Sequence, residues 1–237
     1  MGNEMRLYAN RVVALLPMKA HSERVSGKNF REFEGKPLFR WILDTLLAID
    51  DIGLVVINTD ARRILANNGL TDSDRVMIRD RKPEICGDLV SMNRVIADDI
   101  ANVQADVYLM THTTNPLMST DTIRRALDAF EEARASRKAD SLFTVDRIQT
   151  RFYRADGTAV NHDPDNLVRT QDLEPWFEEN SNLYLFTRDS FGATNARIGR
   201  KPLMFESPRF ESIDIDDQDD WDLALIAARH MKSRVEA

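Results

Sequence analysis

The sequence predicts an α/β fold, a mainly parallel sheet with helices on both faces. Three observations carry that expectation. Short apolar runs recur at 12–16, 54–57, 76–78, 107–110 and 183–187. Between most of them lie segments whose apolar residues return at helical spacing. The runs stop at polar loops that open onto the next helix, and strand, loop and helix repeated in this way imply crossover connections between parallel strands.

Each element has its own signal. Residues 12–16 are an uninterrupted apolar run ended by Pro17, the pattern of a buried strand. Pro37 opens a helix, because its missing N–H is not needed in the first turn. Leu38, Trp41, Ile42, Leu46 and Ile49 then line one face of that helix. The strand at 54–57 runs into Asn58-Thr59-Asp60 and a short helix; 76–78 is a weaker strand; a helix covers 89–103. The strand at 107–110 enters a loop over 111–118. Thr120 is placed to cap the next helix, whose stripe is Ile123, Ala126, Leu127 and Phe130. Periodicity is lost over 147–181, a stretch rich in Arg, Asp, Asn and Pro that reads as an excursion from the sheet. A last strand is expected at 212–215, before a helix with the stripe Trp221, Ala224, Leu225 and Ala228. The whole chain, 1–237, reads as one Rossmann-like domain carrying this single insertion.

Composition narrows the function. With 32 Lys+Arg against 39 Asp+Glu the formal net charge is −7, which disfavours a general nucleic-acid binder or a basic membrane patch. The single cysteine, Cys86, excludes an intramolecular disulfide and a cysteine-based metal cluster. No apolar stretch approaches the roughly 20 residues that span a bilayer, and the N-terminus lacks a signal pattern. These features give the expectation of a cytoplasmic protein.

Two clusters carry chemistry. The loop after the first strand holds Lys19, Ser22, Arg24, Lys28, Asn29 and Arg31. In an open α/β sheet, ligands bind at the carboxyl ends of the strands, and lysine and arginine suit phosphate. An ordinary solvated basic loop has the same composition. The second cluster is Ser212-Ile213-Asp214-Ile215-Asp216-Asp217. Period-two alternation puts Asp214 and Asp216 on one face, where two carboxylates with substrate phosphates suit Mg²⁺; an acidic strand end without metal fits equally. Asp217, Asp219 and Asp220 are expected to complement a helix N-terminus.

Taken together, these motifs resemble the sugar-acid cytidylyltransferases, the enzymes that activate sialic acid and 3-deoxy-manno-octulosonate. The resemblance is carried by Leu16-Pro17, Lys19, Ser22, Val25, Lys28-Asn29-Phe30 and Gly35-Lys36-Pro37-Leu38. It continues in family order through Asn58-Thr59-Asp60, Arg81 to Glu84 with Asp88, and Thr114-Asn115-Pro116-Leu117. Asn180-Ser181-Asn182-Leu183-Tyr184, where the family has Asn-Gly, and Ser212-Ile213-Asp214-Ile215-Asp216 complete it.

The resemblance implies CTP and a sugar acid as substrates, with Mg²⁺ as cofactor. It implies that Pro17, Lys19, Ser22, Lys28, Asn29, Arg81 and Asp88 bind the nucleotide. Lys19, Lys28 and Asp216 would be catalytic, and Asp214 and Asp216 would hold the metal. His112, Thr114, Asn115, Arg169, Gln171 and Asn180 would contact the sugar acid. It further implies a homodimer formed through 147–181, with Arg169 and Gln171 lent to the partner's site. His112, Met118 and Glu178 depart from the family pattern where the sugar acid is expected. Fewer cations and an added carboxylate there would favour an amino-bearing sugar acid over N-acetylneuraminic acid. Three alternatives stay open at this point: a hexose-1-phosphate nucleotidyltransferase, a glycosyltransferase reading Asp214-Ile215-Asp216 as its D-x-D, and a nucleotide-binding module without catalysis.

Overall fold

The computed structural model describes residues 12–21 and 25–235. In chain order the elements are β1 (Val12–Leu15), β2 (Glu32–Phe33), β3 (Lys36–Pro37), α1 (Leu38–Leu47), β4 (Ile52–Thr59), α2 (Arg62–Asn67), β5 (Val76–Asp80) and α3 (Met92–Asn102). They continue with β6 (Val107–Thr111), α4 (Thr120–Ala135), β7 (Ser141–Ile148), β8 (Trp176–Phe186), α5 (Arg188–Thr194), β9 (Pro202–Glu206) and α6 (Gln218–Val235).

Seven strands form one sheet in the order β5-β4-β1-β6-β8-β7-β9, and β2 and β3 make a small separate hairpin. β5, β4, β1 and β6 pair in parallel, as do β7 and β9. β8 runs antiparallel to both β6 and β7. The sheet is therefore mixed and mostly parallel. Alternation along β1 decides the two cores. Val12 and Ala14 face the layer of α1, α2 and α4 with Ile42, Leu65 and Phe130. Val13 and Leu15 face the other layer with Ile96 and Ile100 of α3 and Phe191 of α5. A third cluster joins Trp221 and Ala224 of α6 to Phe33, Leu38 and Ile215.

Chain order reverses at β1. The strands after it run outward to β5, then the chain returns through α3 to place β6 on the other side of β1. Loops leaving β1 and β6 diverge there, which leaves a crevice at the carboxyl ends of the two strands.

Three expectations need correction. Residues 212–217 form no strand; they are an extended loop, fixed by the bond from Ile215 N–H to the Thr114 carbonyl at 2.9 Å. The last strand is β9, a short segment with no fully buried residue that opens on Pro202. The cap of α4 is Ser119, whose side chain accepts from Thr122 N–H, and Thr120 is the first helical residue. The excursion also begins and ends in strand. β7 and β8 continue pairing past the sheet as a two-stranded arm, with Arg147 opposite Phe177 and Ile148 opposite Trp176. Residues between them form the arm's outer loop, where Phe152 stacks on Trp176 at 5.1 Å.

Candidate active site

The loop after β1 is held by its own backbone before it meets any ligand. Gly27 takes φ 60°, a left-handed conformation that favours glycine, and its carbonyl receives Phe30 N–H and Arg31 N–H. That turn sets the one-turn helix at 28–30 and buries Lys28 and Asn29. Asn29 then works as a clamp: its Nδ2 donates to the Lys19 carbonyl at 2.8 Å, and its Oδ1 accepts from Thr113 Oγ1 at 2.6 Å. The loops that follow β1 and β6 are thereby tied across the crevice.

Lys28 makes the longest reach. Its Nζ donates to the Ile215 carbonyl and lies 3.7 Å from Asp216 Oδ1. Lys28, expected as a nucleotide-binding and catalytic residue of the loop, is thus buried and ties the loop to 215–216 as well.

These contacts enclose a cavity of about 460 Å³ at the carboxyl ends of β1 and β6. Pro17, Lys19, Lys28, Asn29, Arg81, Asp88, His112, Thr114, Asp214 and Asp216 line it, so ten of the residues singled out from the sequence converge there. Ser22 lies outside the described residues.

Lys19 Nζ and Asp88 Oδ1 are 2.5 Å apart across the cavity mouth, with both side chains half-exposed. An exposed pair of this kind contributes about 0–1 kcal/mol, so its lysine is easily turned toward an anionic ligand. Arg81 is held more firmly, by Asn58 and the Met18 carbonyl, and burial lowers its pKa.

Asp214 is the most unusual group. Its Oδ1 is buried without a hydrogen-bond partner among the described residues. Burial, and secondarily the nearby Asp216, raises its pKa against the opposing effects of Thr114 and Lys28. Two carboxylates stand beside the one Lys28 ammonium, an arrangement to which a divalent cation would add charge. Asp217 and Asp220 are absorbed locally: Asp220 accepts from the N–H groups of Asp216 and Asp217, and Asp217 from that of Asp220.

His112 is neutral in this setting. Burial first, then the positive charges of Arg197 and Lys28, push its pKa down to about 3. It can exchange hydrogen bonds with a ligand but cannot act as a cation at neutral pH.

Several expected residues are not brought to the cavity. Asn115 is buried and donates its Nδ2 to Asn182 Oδ1 at 2.6 Å. Asn180 is consumed by Ser207, Ser212 and Asp146. Both are ties between loops, which polar residue types in a motif do not distinguish from ligand contacts. Met118 belongs to the core, and Glu178 lines a separate groove with Asp146 and Arg209. The charge argument for an amino-bearing substrate built on those two residues therefore loses its basis. Arg169 pairs with Asp172 at 2.7 Å and Gln171 lies beside it on the arm's outer loop; neither lines the cavity of its own chain.

Sequence reasoning missed Met18, His21, Met92, Thr113 and Ser181, which do line it. Ser181 carried a signal, since it stands where the resembled family has glycine and it adopts φ 58°.

Comparison with known proteins gives this geometry a family. A family model described as "Cytidylyltransferase" matches residues 13–207. The CMP-N,N'-diacetyllegionaminic acid synthase of Legionella pneumophila is 27% identical over 229 residues, covering 90% of this chain and 94% of that protein. The pseudaminic acid cytidylyltransferase of Campylobacter jejuni is 23% identical, covering 90% of this chain and 94% of its own. Among solved structures, CMP:2-keto-3-deoxy-manno-octonic acid synthetase complexed with CTP superposes with a TM-score of 0.63 at 14% identity, over 94% of this chain and 99% of that one. A 4-diphosphocytidyl-2C-methyl-D-erythritol synthase from Anaerococcus prevotii reaches 0.65 at 12% identity, over 93% and 99%. These two show the fold. The chain belongs to the sugar-acid cytidylyltransferase family and is a nucleotidyltransferase.

Two outcomes are expected from the site's geometry. Lys28→Ala should cost about 1–3 kcal/mol of stability, at roughly 2–4 °C of Tm per kcal/mol for a chain of this size. Lys28→Met should recover part of that loss without recovering nucleotide affinity; calorimetry with CTP titration checks both. His112 should remain neutral in the folded protein down to pH 5, read from its ring resonances by NMR. Because its folded pKa lies below the usual value near 6.5, its stabilising contribution is complete above that pH and is lost as pH falls toward about 3.

Proposed function

We propose that this cytidylyltransferase transfers CMP from CTP to a 2-keto-3-deoxy sugar acid of the nonulosonic type, releasing pyrophosphate. The observation that carries the reading is the cavity itself, where Lys19, Lys28 and Arg81 line the same space as the carboxylates of Asp214 and Asp216. The substrate class is supported by the two bacterial relatives, whose names specify nonulosonic acids and which align along nearly their whole length.

In this reading Lys28 and Lys19 balance the triphosphate charge, and Lys19 leaves Asp88 to do so. Asn29 and Arg81 fix the nucleotide end. The anomeric hydroxyl of the sugar acid forms the new bond to the α-phosphorus as the bond to the β-phosphate oxygen breaks. Such transfer depends on charge neutralisation and in-line positioning more than on a covalent partner.

Asp214 and Asp216 fit a divalent cation, because Asp214 Oδ1 is buried with no hydrogen-bond partner among the described residues. When bound, Mg²⁺ would neutralise phosphate charge and make the attacking hydroxyl more acidic. The neutral His112 and Thr114 also line the cavity and offer hydrogen bonds to an uncharged part of the sugar acid.

The arm supports assembly as a homodimer. Tyr153, Leu167, Val168, Trp176 and Phe177 are all exposed on it, and an apolar surface of this kind suits a symmetric contact between copies. Arg169 and Gln171 would then reach a neighbouring site.

Two measurements test this. Incubation with CTP and candidate nonulosonic acids should release pyrophosphate, stop with EDTA, and resume with added Mg²⁺. Asp216→Asn should lower kcat by about 10²–10³; a near wild-type rate in excess Mg²⁺ would remove Asp216 from the metal site. Sedimentation at micromolar concentration should give about twice the 27.2 kDa chain mass. Trp176→Glu should shift it to monomer, and an unchanged mass would exclude the arm as the interface.

A further inference from the structure

We propose that Asp99, on the buried face of α3 and outside the cavity, is a positioning residue for nucleotide binding. It orients Asn58, and Asn58 holds Arg81 against the cavity. The inference rests on the nucleotide occupying that cavity.

Asp99 stands where an apolar residue is expected. On α3 its buried neighbours are Val95, Ile96 and Ile100, and a carboxylate in such a stripe is costly unless its bonds are made. Its Oδ1 accepts Asn58 Nδ2 at 2.8 Å and Arg79 Nε at 2.9 Å. Asn58, fully buried at the end of β4, accepts Arg81 Nε on its Oδ1 at 3.0 Å. Arg81 Nη2 donates to the Asn58 carbonyl at 2.7 Å and to the Met18 carbonyl at 3.3 Å. Three strand ends and one helix thus meet in a single hydrogen-bonded chain that finishes on a cavity-lining arginine.

The direction of the chain follows from donor chemistry. An ionised carboxylate only accepts, so it must face the amide nitrogen of Asn58. That leaves the amide oxygen toward Arg81. Turned the other way, Asn58 would set oxygen against carboxylate and N–H against N–H. With Nε and Nη2 committed, Nη1 is the edge Arg81 keeps for a ligand.

The charges around Asp99 are consistent with this role. Arg79 lies between Asp99 and Asp98, Lys82 pairs with Asp98 at 2.5 Å, and Arg81 approaches from β5. Burial still raises the Asp99 carboxyl to about 6, so retaining an acid here has a cost that a core leucine would avoid.

The test is CTP binding by calorimetry, with inorganic tripolyphosphate as the control ligand and steady-state kinetics beside it. Asp99→Leu should weaken CTP about tenfold, the order expected when a hydrogen bond to a charged group loses its geometry. The tripolyphosphate affinity and kcat at saturating CTP should stay within about threefold. Asp99→Asn, which keeps the Oδ1 acceptor, should recover most of the affinity, and Asp99→Leu should add nothing in an Arg81→Leu background. If Asp99→Leu fails to fold, Asn58→Ala should show the same split between CTP and tripolyphosphate.

Wild-type CTP affinity in Asp99→Leu, or equal loss of both ligands with additivity in the Arg81→Leu background, would overturn the inference and leave the functional reading standing. A wild-type chain that binds tripolyphosphate but no CTP would overturn both.

Discussion

The bond from Lys28 to the Ile215 carbonyl, with Asp216 beside it, is the interaction on which the site depends. It joins residues 187 positions apart, so neither half of the cavity has its final shape until the whole sheet has formed. Two devices hold its ends. On one side, Asn29 and the left-handed Gly27 fix the turn that aims the lysine inward. On the other, α6 is anchored by Trp221, which packs edge-on against Phe33 at 5.4 Å and lies under the Arg31 guanidinium at 4.2 Å. The small β2–β3 hairpin belongs to the same arrangement, because Phe33 also meets Trp41 edge-on and its carbonyl accepts Trp41 Nε1. A third core that looks peripheral to the sheet therefore sets where the acidic loop stands.

The half of the fold built from parallel strands was legible in the sequence for a physical reason. β1, β4 and β6 are covered on both faces, so their residues form continuous apolar runs, and the helices between them are amphipathic with clear stripes. β7, β8 and β9 were harder. The outer ends of β7 and β8 leave the sheet and carry polar or exposed residues such as Arg147 and Glu178, so period-two and apolar signals fade where pairing continues. β9 is a five-residue strand with no fully buried position. The acidic loop shows the converse. Its alternation suggested a strand, yet Ile215 finds its backbone partner in the Thr114 carbonyl of a loop, and the period-two placement of Asp214 and Asp216 toward the cavity survives without a strand.

Residue type told less than position about what the polar groups do. Asn29, Asn58, Asn115, Asn180 and Asn182 all occupy motif positions, and each is spent on holding loops or side chains together. An amide can donate and accept at once, so it serves as a tie wherever two loops leave opposite needs. Reading such a motif as a list of ligand contacts overlooks that the loops must first be held in place. Lys28 is the extreme case, buried for the fold and charged for the site.

The cavity's two walls differ in how firmly they are held, and that difference bears on what can vary. The wall formed by Asn29 and Arg81 is locked by backbone carbonyls and buried side chains, so it presents a fixed geometry to a constant ligand. Beyond the neutral His112 the other wall continues into residues with looser ties. Ser181 holds φ 58° without being glycine, a conformation that costs a side-chain-bearing residue about 1–2 kcal/mol. Its Oγ donates to the Tyr184 hydroxyl, whose own proton goes to Glu179. Burial and that carboxylate push the phenol up to about 12 despite Arg197 stacked on its ring at 4.0 Å. Arg197 in turn stands 3.7 Å from Glu179, with a cavity of about 320 Å³ beside them. A strained serine, a phenol that keeps its proton and a loosely paired arginine can be repacked without disturbing Asn29 and Arg81, because none of them shares a hydrogen bond with those two. In the proposed reading, this is the side on which substrate selectivity would change while the nucleotide contacts stay as they are.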